Sequence, residues 1–165
     1  MEISKIRKIL DELCQTIGGD WLLVGGALVQ LEINGNRATE DIDLALIASP
    51  VKSEAVLQTE LFRFSMQNLQ VGPESLNLAV TPFLTDLPNW QDERKLLLTG
   101  TAGNIYRPTL TLFIALKMKR GTTIDLSDIR EALKKWPASE LNEARLKVWL
   151  PKERFDQFID LKKTN

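Results

Sequence analysis

The sequence of 165 residues has no histidine, one cysteine (Cys14) and one tyrosine. The lack of histidine excludes Ser-His and Cys-His nucleophilic catalysis, proton transfer by imidazole and a zinc ion held by histidine. The single cysteine excludes an internal disulfide and a structural zinc site made of thiolates. Chemistry in this protein would therefore depend on carboxylates, lysine, arginine, hydroxyl groups and a hard cation with oxygen ligands, such as Mg²⁺.

Long apolar runs are also missing. Stretches such as 110–118 contain polar residues and are too short to cross a bilayer. The first five residues, 1–5, lack the basic start and apolar stretch of a secretory signal. Together with the lone cysteine, these features predict a cytoplasmic protein with no membrane partner. The helical spacing around Cys14 favours a buried core thiol over a nucleophile.

The charges are divided unevenly along the chain. Residues 1–106 contain 8 Lys/Arg and 14 Asp/Glu, whereas residues 107–165 contain 13 Lys/Arg and 8 Asp/Glu. An acidic part followed by a basic part suits a polyanionic substrate. The alternative is that the C-terminal lysines lie on solvated helix faces, and the sequence leaves both readings open.

The apolar pattern predicts alternating helices and strands, followed by a helical C-terminal third. Ser139 is expected to cap the helix predicted over 139–149. A threonine or aspartate is expected to cap the helix predicted over 122–136. The predicted helices cover 3–17, 27–33, 49–68, 109–120, 122–136, 139–149 and 151–162. The predicted strands cover 21–24, 41–47, 93–98 and 105–106, and segment 75–80 fits either a strand or a short helix.

Two features in the first half of the chain carry chemical information. Gly25 and Gly26 follow the predicted strand at 21–24, and Asp41 and Asp43 are two residues apart in the next predicted strand. Alternate residues of a strand point to the same face, so we expect the two carboxylates to lie side by side. Their mutual repulsion favours a bridging cation. A Gly-Gly turn that opens a helix exposes backbone N–H groups to an anion such as phosphate.

These residues resemble a known family. The Gly25-Gly26 turn, the Arg37-Ala38-Thr39 run and the Asp41-Ile42-Asp43 pair resemble the nucleotidyltransferase superfamily with the DNA polymerase β-like fold. The resemblance extends over residues 18–135. Within the superfamily, the chain resembles small bacterial members similar to the toxin nucleotidyltransferases of type IV abortive-infection toxin–antitoxin systems.

Two later segments add to the resemblance. Lys117 lies in the apolar helix predicted over 109–120, and Asp125 and Asp128 stand at the start of the next helix, as in this group. Segment 72–77 also looks like the middle of these proteins. The order of the blocks along the chain strengthens each of them.

The resemblance implies an α/β (α+β) fold and an enzymatic activity. The fold would be a mixed-sheet nucleotidyltransferase-like core over 1–108, flanked by helices, with a helical extension over 109–165 packed on the core. The activity would be the transfer of an NMP group from an NTP to an acceptor, either RNA or protein. A cognate antitoxin is an expected partner if the protein is a toxin.

The resemblance also implies roles for single residues. Asp41 and Asp43 would be catalytic and would bind one or two Mg²⁺ ions, while Gly25 and Gly26 would hold the triphosphate. Metal ions in such sites neutralise the triphosphate, activate an acceptor hydroxyl and stabilise the leaving pyrophosphate. The alternative for an Asp-x-Asp pair is a solvated strand edge.

Three further residues have an implied part in the site and an ordinary alternative. Lys117 would contact phosphate as a point charge, or it extends its ammonium from an apolar helix to solvent. Arg37 would pair with phosphate or brace the fold through Asp128. Thr39 would contact the nucleotide or stabilise its own turn.

The resemblance implies a third carboxylate on a later strand, but the corresponding segment, 75–78, carries Asn77. Asp125 or Asp128 could supply the missing charge, although both also suit helix capping. Two functions therefore stay open. The protein is either a Mg²⁺-dependent nucleotidyltransferase or a catalytically inactive relative that binds nucleotide or a protein partner.

Overall fold

A computed structural model of the chain describes residues 1–48, 52–67, 75–78 and 80–164. The predicted start of a helix at Ser49-Pro50 and its predicted end at Asn68 lie outside the described residues. Part of the segment that resembles the family, 72–74, lies outside them as well.

The structure confirms the α+β class, with a mixed five-stranded sheet flanked by helices. The strands are β1 (Gly19–Val24), β2 (Ile42–Ala48), β3 (Leu76–Asn77), β4 (Arg94–Thr99) and β5 (Gly103–Pro108). Their order in the sheet is β3-β2-β1-β5-β4. The central strand β1 pairs antiparallel with β2 and parallel with β5, and β2 pairs parallel with β3.

Each predicted helix has a counterpart in the structure. The α-helices are α1 (Ile3–Thr16), α2 (Gly25–Leu28), α3 (Glu54–Gln67), α4 (Thr81–Leu84), α5 (Leu110–Arg120), α6 (Thr123–Lys135), α7 (Glu143–Trp149) and α8 (Lys152–Lys163). Of these, α4 lies in a segment for which no helix is predicted. A π-helical segment, Val29–Ile33, continues α2, and short 3₁₀ turns cover Trp90–Asp92 and Ala138–Glu140.

The chain forms two compact units. The first contains 1–81 and 95–107, and the second contains 82–94 and 108–165. The predicted division into a core over 1–108 and an extension over 109–165 stays a prediction. The second unit differs from the predicted extension in that it includes segment 82–94.

The first unit has a continuous apolar core. One face of α1 is apolar at helical spacing, and β1 and β2 are apolar strands of the same sheet. Each of these elements buries apolar side chains in the core. The fully buried members include Ile6, Leu10 and Leu13 of α1, Trp21, Leu22 and Leu23 of β1, and Ile42, Leu44 and Ala45 of β2.

Helices α5, α6 and α7 of the second unit begin at residues whose side chains satisfy free backbone N–H groups. Thr109 accepts a hydrogen bond from the N–H of Leu112 at the start of α5. Thr122 and Asp125 form a capping box at the start of α6, which confirms the predicted cap.

The predicted cap of the next helix is wrong. Ser139 lies in a 3₁₀ turn, and Asn142 caps α7 by accepting a hydrogen bond from the N–H of Arg145. The physical reason is the side chain of Thr111, which is fully buried. Its hydroxyl donates to the carbonyl of Glu140 at 2.8 Å and accepts from the N–H of Asn142 at 2.7 Å. These bonds hold 140–142 outside a helix.

No helix within the described parts of the chain is long and apolar enough to span a membrane.

Candidate functional site

The carboxylate of Asp43 lies directly against the turn at Gly25. Asp43 is the cross-strand partner of Val24, the last residue of β1, and Gly25 follows immediately. Gly25 has a φ of +70°, and a Cβ placed on it would stand 1.8 Å from Oδ2 of Asp43. A side chain at position 25 would therefore be strained and would collide with the carboxylate. The positive φ favours glycine here, and the carboxylate of Asp43 occupies the position that a Cβ would take.

The next residue, Gly26, has a similar relationship to Thr39. A Cβ on Gly26 would stand 2.6 Å from Oγ1 of Thr39, whose side chain is buried. The same hydroxyl donates to the backbone carbonyl of Asp41 at 3.0 Å and lies 3.3 Å from Oδ1 of Asp41. Thr39 therefore connects Asp41 to the glycine turn.

Asp41 and Asp43 stand on either side of Ile42, which is fully buried. Strand β2 begins at Ile42, so Asp41 is the residue before the strand and not its first member as predicted. Both acidic residues are half-buried. Because β1 and β2 run antiparallel, the start of β2 adjoins the end of β1, and the glycine turn meets the two acidic residues there.

The adjacent strand β3 places Asn77 beside Asp43. The two residues are cross-strand partners, and Nδ2 of Asn77 donates to Oδ1 of Asp43 at 3.0 Å. This contact connects residues 34 positions apart in the chain. An amide thus occupies the place next to Asp43 where the resemblance implies a carboxylate. Within the described ranges, no group of three or more acidic, histidine or cysteine side chains is arranged to hold a metal ion.

Arg37 lies in the loop that leads to β2. Its Nη1 donates to the carbonyl of Ala38 at 2.8 Å. This bond holds the side chain against its own loop. Its role toward phosphate stays a prediction.

Lys117 and Asp128 belong to the second unit and contact each other there. Nζ of Lys117 lies 2.6 Å from Oδ2 of Asp128 and 3.3 Å from Oδ1 of Asp125. All three side chains are buried, so Lys117 does not extend its ammonium to solvent. The contacts join α5 to α6. The predicted roles of Lys117 on phosphate and of Asp128 in catalysis stay predictions.

Asp125 is the most enclosed acid of this cluster, with no exposed surface. Arg120 donates to it through Nε at 2.7 Å, and the hydroxyl of Thr122 donates at 2.7 Å. Burial alone would raise the pKa of Asp125. The hydrogen bonds from Arg120 and Thr122 and the charge of Lys117 prevail and hold the pKa of that carboxyl well below its usual range.

Cys14 is buried in α1, as predicted for a core thiol. Burial and the nearby charge of Asp11 raise its pKa from 9.0 to about 11. Thiolate, the reactive form, is therefore scarce at neutral pH. Cys14 is not a candidate nucleophile.

The sequence patterns predict Gly25, Gly26, Thr39, Asp41 and Asp43 as site residues, and the structure brings these five together in the first unit. The patterns do not predict the bond between Asn77 and Asp43. The only available signal was the position of Asn77 in a short, apolar segment where an acidic residue was expected. The sequence patterns predict Asp125 as a helix cap or a source of the missing charge, but not its bonds with Arg120 and Lys117.

In comparisons with known proteins, no model of a protein family matches this chain, and no curated protein matches its sequence.

Proposed function

We propose that the protein is a Mg²⁺-dependent nucleotidyltransferase that moves an NMP group from an NTP to a hydroxyl of an RNA or protein acceptor. One observation carries the proposal: the carboxylate of Asp43 rests on the backbone of Gly25 at the junction of β1, β2 and α2. The residues there combine ligands for a hard cation with the glycine backbone at the start of α2.

The donor set fits Mg²⁺. Asp41 and Asp43 offer carboxylate oxygens, which are the ligands that Mg²⁺ prefers. Both are half-buried, so their charges are poorly screened and attract a cation. Asp41 and Asp43 would hold the ion, which in such sites neutralises the triphosphate and activates the acceptor hydroxyl.

The glycine turn suits the phosphates. With no side chain on Gly25 or Gly26, a phosphate oxygen can approach the backbone N–H groups at the start of α2. The carboxylates beside the turn would repel the same anion in the absence of a cation. Nucleotide binding should therefore require the divalent ion.

Incorporation of label from α-³²P-NTPs into RNA or protein tests this function. The variants D41N and D43N should each lose incorporation by at least about 100-fold, because each removes one of the charges that hold the ion. D20N is the matched control. Asp20 also accepts a hydrogen bond from an asparagine on a neighbouring strand, Asn104, but at the other end of β1. Equal labelling by wild type, D41N and D43N would refute the proposal.

A second function is favoured by Asn77. Its neutral amide, a donor to Asp43, adds no negative charge for a second metal ion and offers no general base. A protein with this site could bind NTP and Mg²⁺, or a protein partner, without turnover. Calorimetric binding of Mg²⁺·NTP without pyrophosphate release would favour this second function over transfer.

A toxin role is part of the first proposal, with a cognate antitoxin as the partner that restrains it. Expression of the chain alone in a bacterial host should then arrest growth, and D43N should relieve the arrest. Normal growth at high levels of the wild-type protein would argue against the toxin role but not against nucleotide transfer.

A further inference from the structure

We infer that Asn77 is a positioning residue of the candidate site: its amide holds one oxygen of Asp43 so that the other is presented at the Gly25 turn. The inference rests on the proposed function, because Asp43 is the carboxylate assigned to the metal ion.

The two oxygens of Asp43 have different surroundings. Oδ1 accepts the hydrogen bond from Nδ2 of Asn77 at 3.0 Å. Oδ2 points to the glycine turn, 1.8 Å from the place where a Cβ of residue 25 would stand. A carboxylate is planar, so a bond that fixes Oδ1 also fixes the direction of Oδ2. Asn77 thereby orients the oxygen that faces the proposed nucleotide site.

The backbone supports this arrangement from both sides. Asp43 is paired with Val24 on β1 and with Asn77 on β3, so it lies in the middle of three strands. Strand β3 is only two residues long, and its pairing is limited to Ile42 and Asp43. The N–H of Ile42 also donates to the carbonyl of Ser75 at 2.7 Å. This short strand therefore serves to set Asn77 against Asp43.

The chemistry of the amide matters as well as its position. An amide N–H attracts the Asp43 carboxylate, whereas an acidic side chain in the same place would repel it unless a cation lay between them. The bond from Asn77 does not itself require a cation, so it would orient the carboxylate of Asp43 before the ion and nucleotide arrive.

The experiment measures binding of Mn²⁺, a probe for Mg²⁺, by electron paramagnetic resonance on the full chain, together with α,β-methylene ATP. The variant N77A should weaken Mn²⁺ binding by about 10-fold or more, as expected when a group that orients a metal ligand is lost. The matched control is N104A, which removes an equivalent half-buried Asn–Asp bond at the far end of β1. It should change binding by less than about 2-fold.

A second variant keeps the inference testable if N77A fails to fold. N77D preserves the size of the side chain but replaces the donor with a charge. Its melting temperature without metal should fall below that of wild type, and Mn²⁺ should raise it by more than it raises the wild-type value. An unchanged melting temperature of N77D without metal would overturn the inference.

The outcomes separate this inference from the function on which it rests. If wild type binds Mn²⁺ with the nucleotide and N77A binds equally well, the positioning role of Asn77 is wrong while the proposed site stands. Equal losses in N77A and N104A would show a general effect of the sheet and would also overturn the inference. If wild type does not bind Mn²⁺, both the proposed function and the inference fail.

Discussion

Nζ of Lys117 lies 2.6 Å from Oδ2 of Asp128, and both side chains are buried between α5 and α6 of the second unit. The ammonium also lies 3.3 Å from Asp125. Ion pairs in such surroundings are poorly screened by water, and loss of one partner leaves a buried charge uncompensated. A phosphate at Lys117 would have to compete with two carboxylates already in contact with it.

Removal of Lys117 should therefore destabilise the second unit strongly. We expect K117M to lower the free energy of unfolding by about 3–5 kcal/mol. The double variant K117M/D128L should recover part of this loss because no uncompensated Asp128 charge remains. Urea unfolding followed by circular dichroism measures both. The control is K134M, which breaks an exposed pair with Glu131 and should cost less than about 1 kcal/mol. A loss in K117M as small as that in K134M would contradict the expectation.

The depressed pKa of Asp125 makes a pH-dependent contribution to stability. A carboxyl whose pKa is lower in the folded state stabilises the protein fully above its unfolded pKa of about 3.9 and loses this contribution as the pH falls toward the folded pKa. The difference in unfolding free energy between wild type and D125N should thus be larger at about pH 7 than at about pH 3. Urea unfolding at the two pH values measures it, and a difference that does not shrink in acid would count against the assigned interactions.

Gly25 should not tolerate a side chain. G25A places a methyl group 1.8 Å from Oδ2 of Asp43 at a φ of +70°, so the carboxylate or the turn must move. We expect a loss of about 1–3 kcal/mol in the free energy of unfolding from the backbone conformation alone, together with loss of Mn²⁺·nucleotide binding. G18A is a suitable comparison, since its methyl group would meet the nearest atom, the carbonyl oxygen of Ala102, at an ordinary 3.6 Å. Normal binding by G25A would show that Asp43 is not needed at the turn.

Cys14 should react slowly in the folded protein. A pKa raised to about 11 lowers the thiolate fraction near pH 8 by about 100-fold relative to an unperturbed thiol, and burial adds a steric barrier. Because the pKa is raised, its contribution to stability is complete below about pH 9 and decreases as the pH rises toward 11. Alkylation by iodoacetamide with and without urea measures the difference in reactivity. Similar rates in the two conditions would show that Cys14 is accessible.

Much of the fold follows from local patterns in the sequence. The apolar spacing of α1, the polar caps of α5 and α6, and Pro151 before α8 all act within a few residues, so the sequence alone indicates them. The start of α7 does not follow in this way. Ser139 and Asn142 are both good caps, and the choice between them depends on Thr111, about thirty residues earlier.

In the candidate site too, some features are visible in the local sequence and others depend on distant contacts. Gly25, Gly26, Asp41 and Asp43 stand out because their chemistry and short spacing are visible in the chain. The contact between Asp43 and Gly25 depends on the register of β1 against β2. The hydrogen bond between Asn77 and Asp43 depends on the parallel two-residue strand β3. A strand of two residues leaves almost no periodic signal. The pairing of Lys117 with Asp128 likewise depends on how two helices pack.

The position of β1 in the sheet has a consequence for the order in which the protein can fold during synthesis. One edge of β1 pairs with β2, which follows soon after it, whereas the other pairs with β5, and Asp20 and Asn104 are 84 positions apart. A nascent chain that has released β1 and β2 from the ribosome therefore still exposes a row of unpaired N–H and C=O groups. A fragment that ends before residue 103 keeps this open edge permanently and is exposed to strand addition between chains.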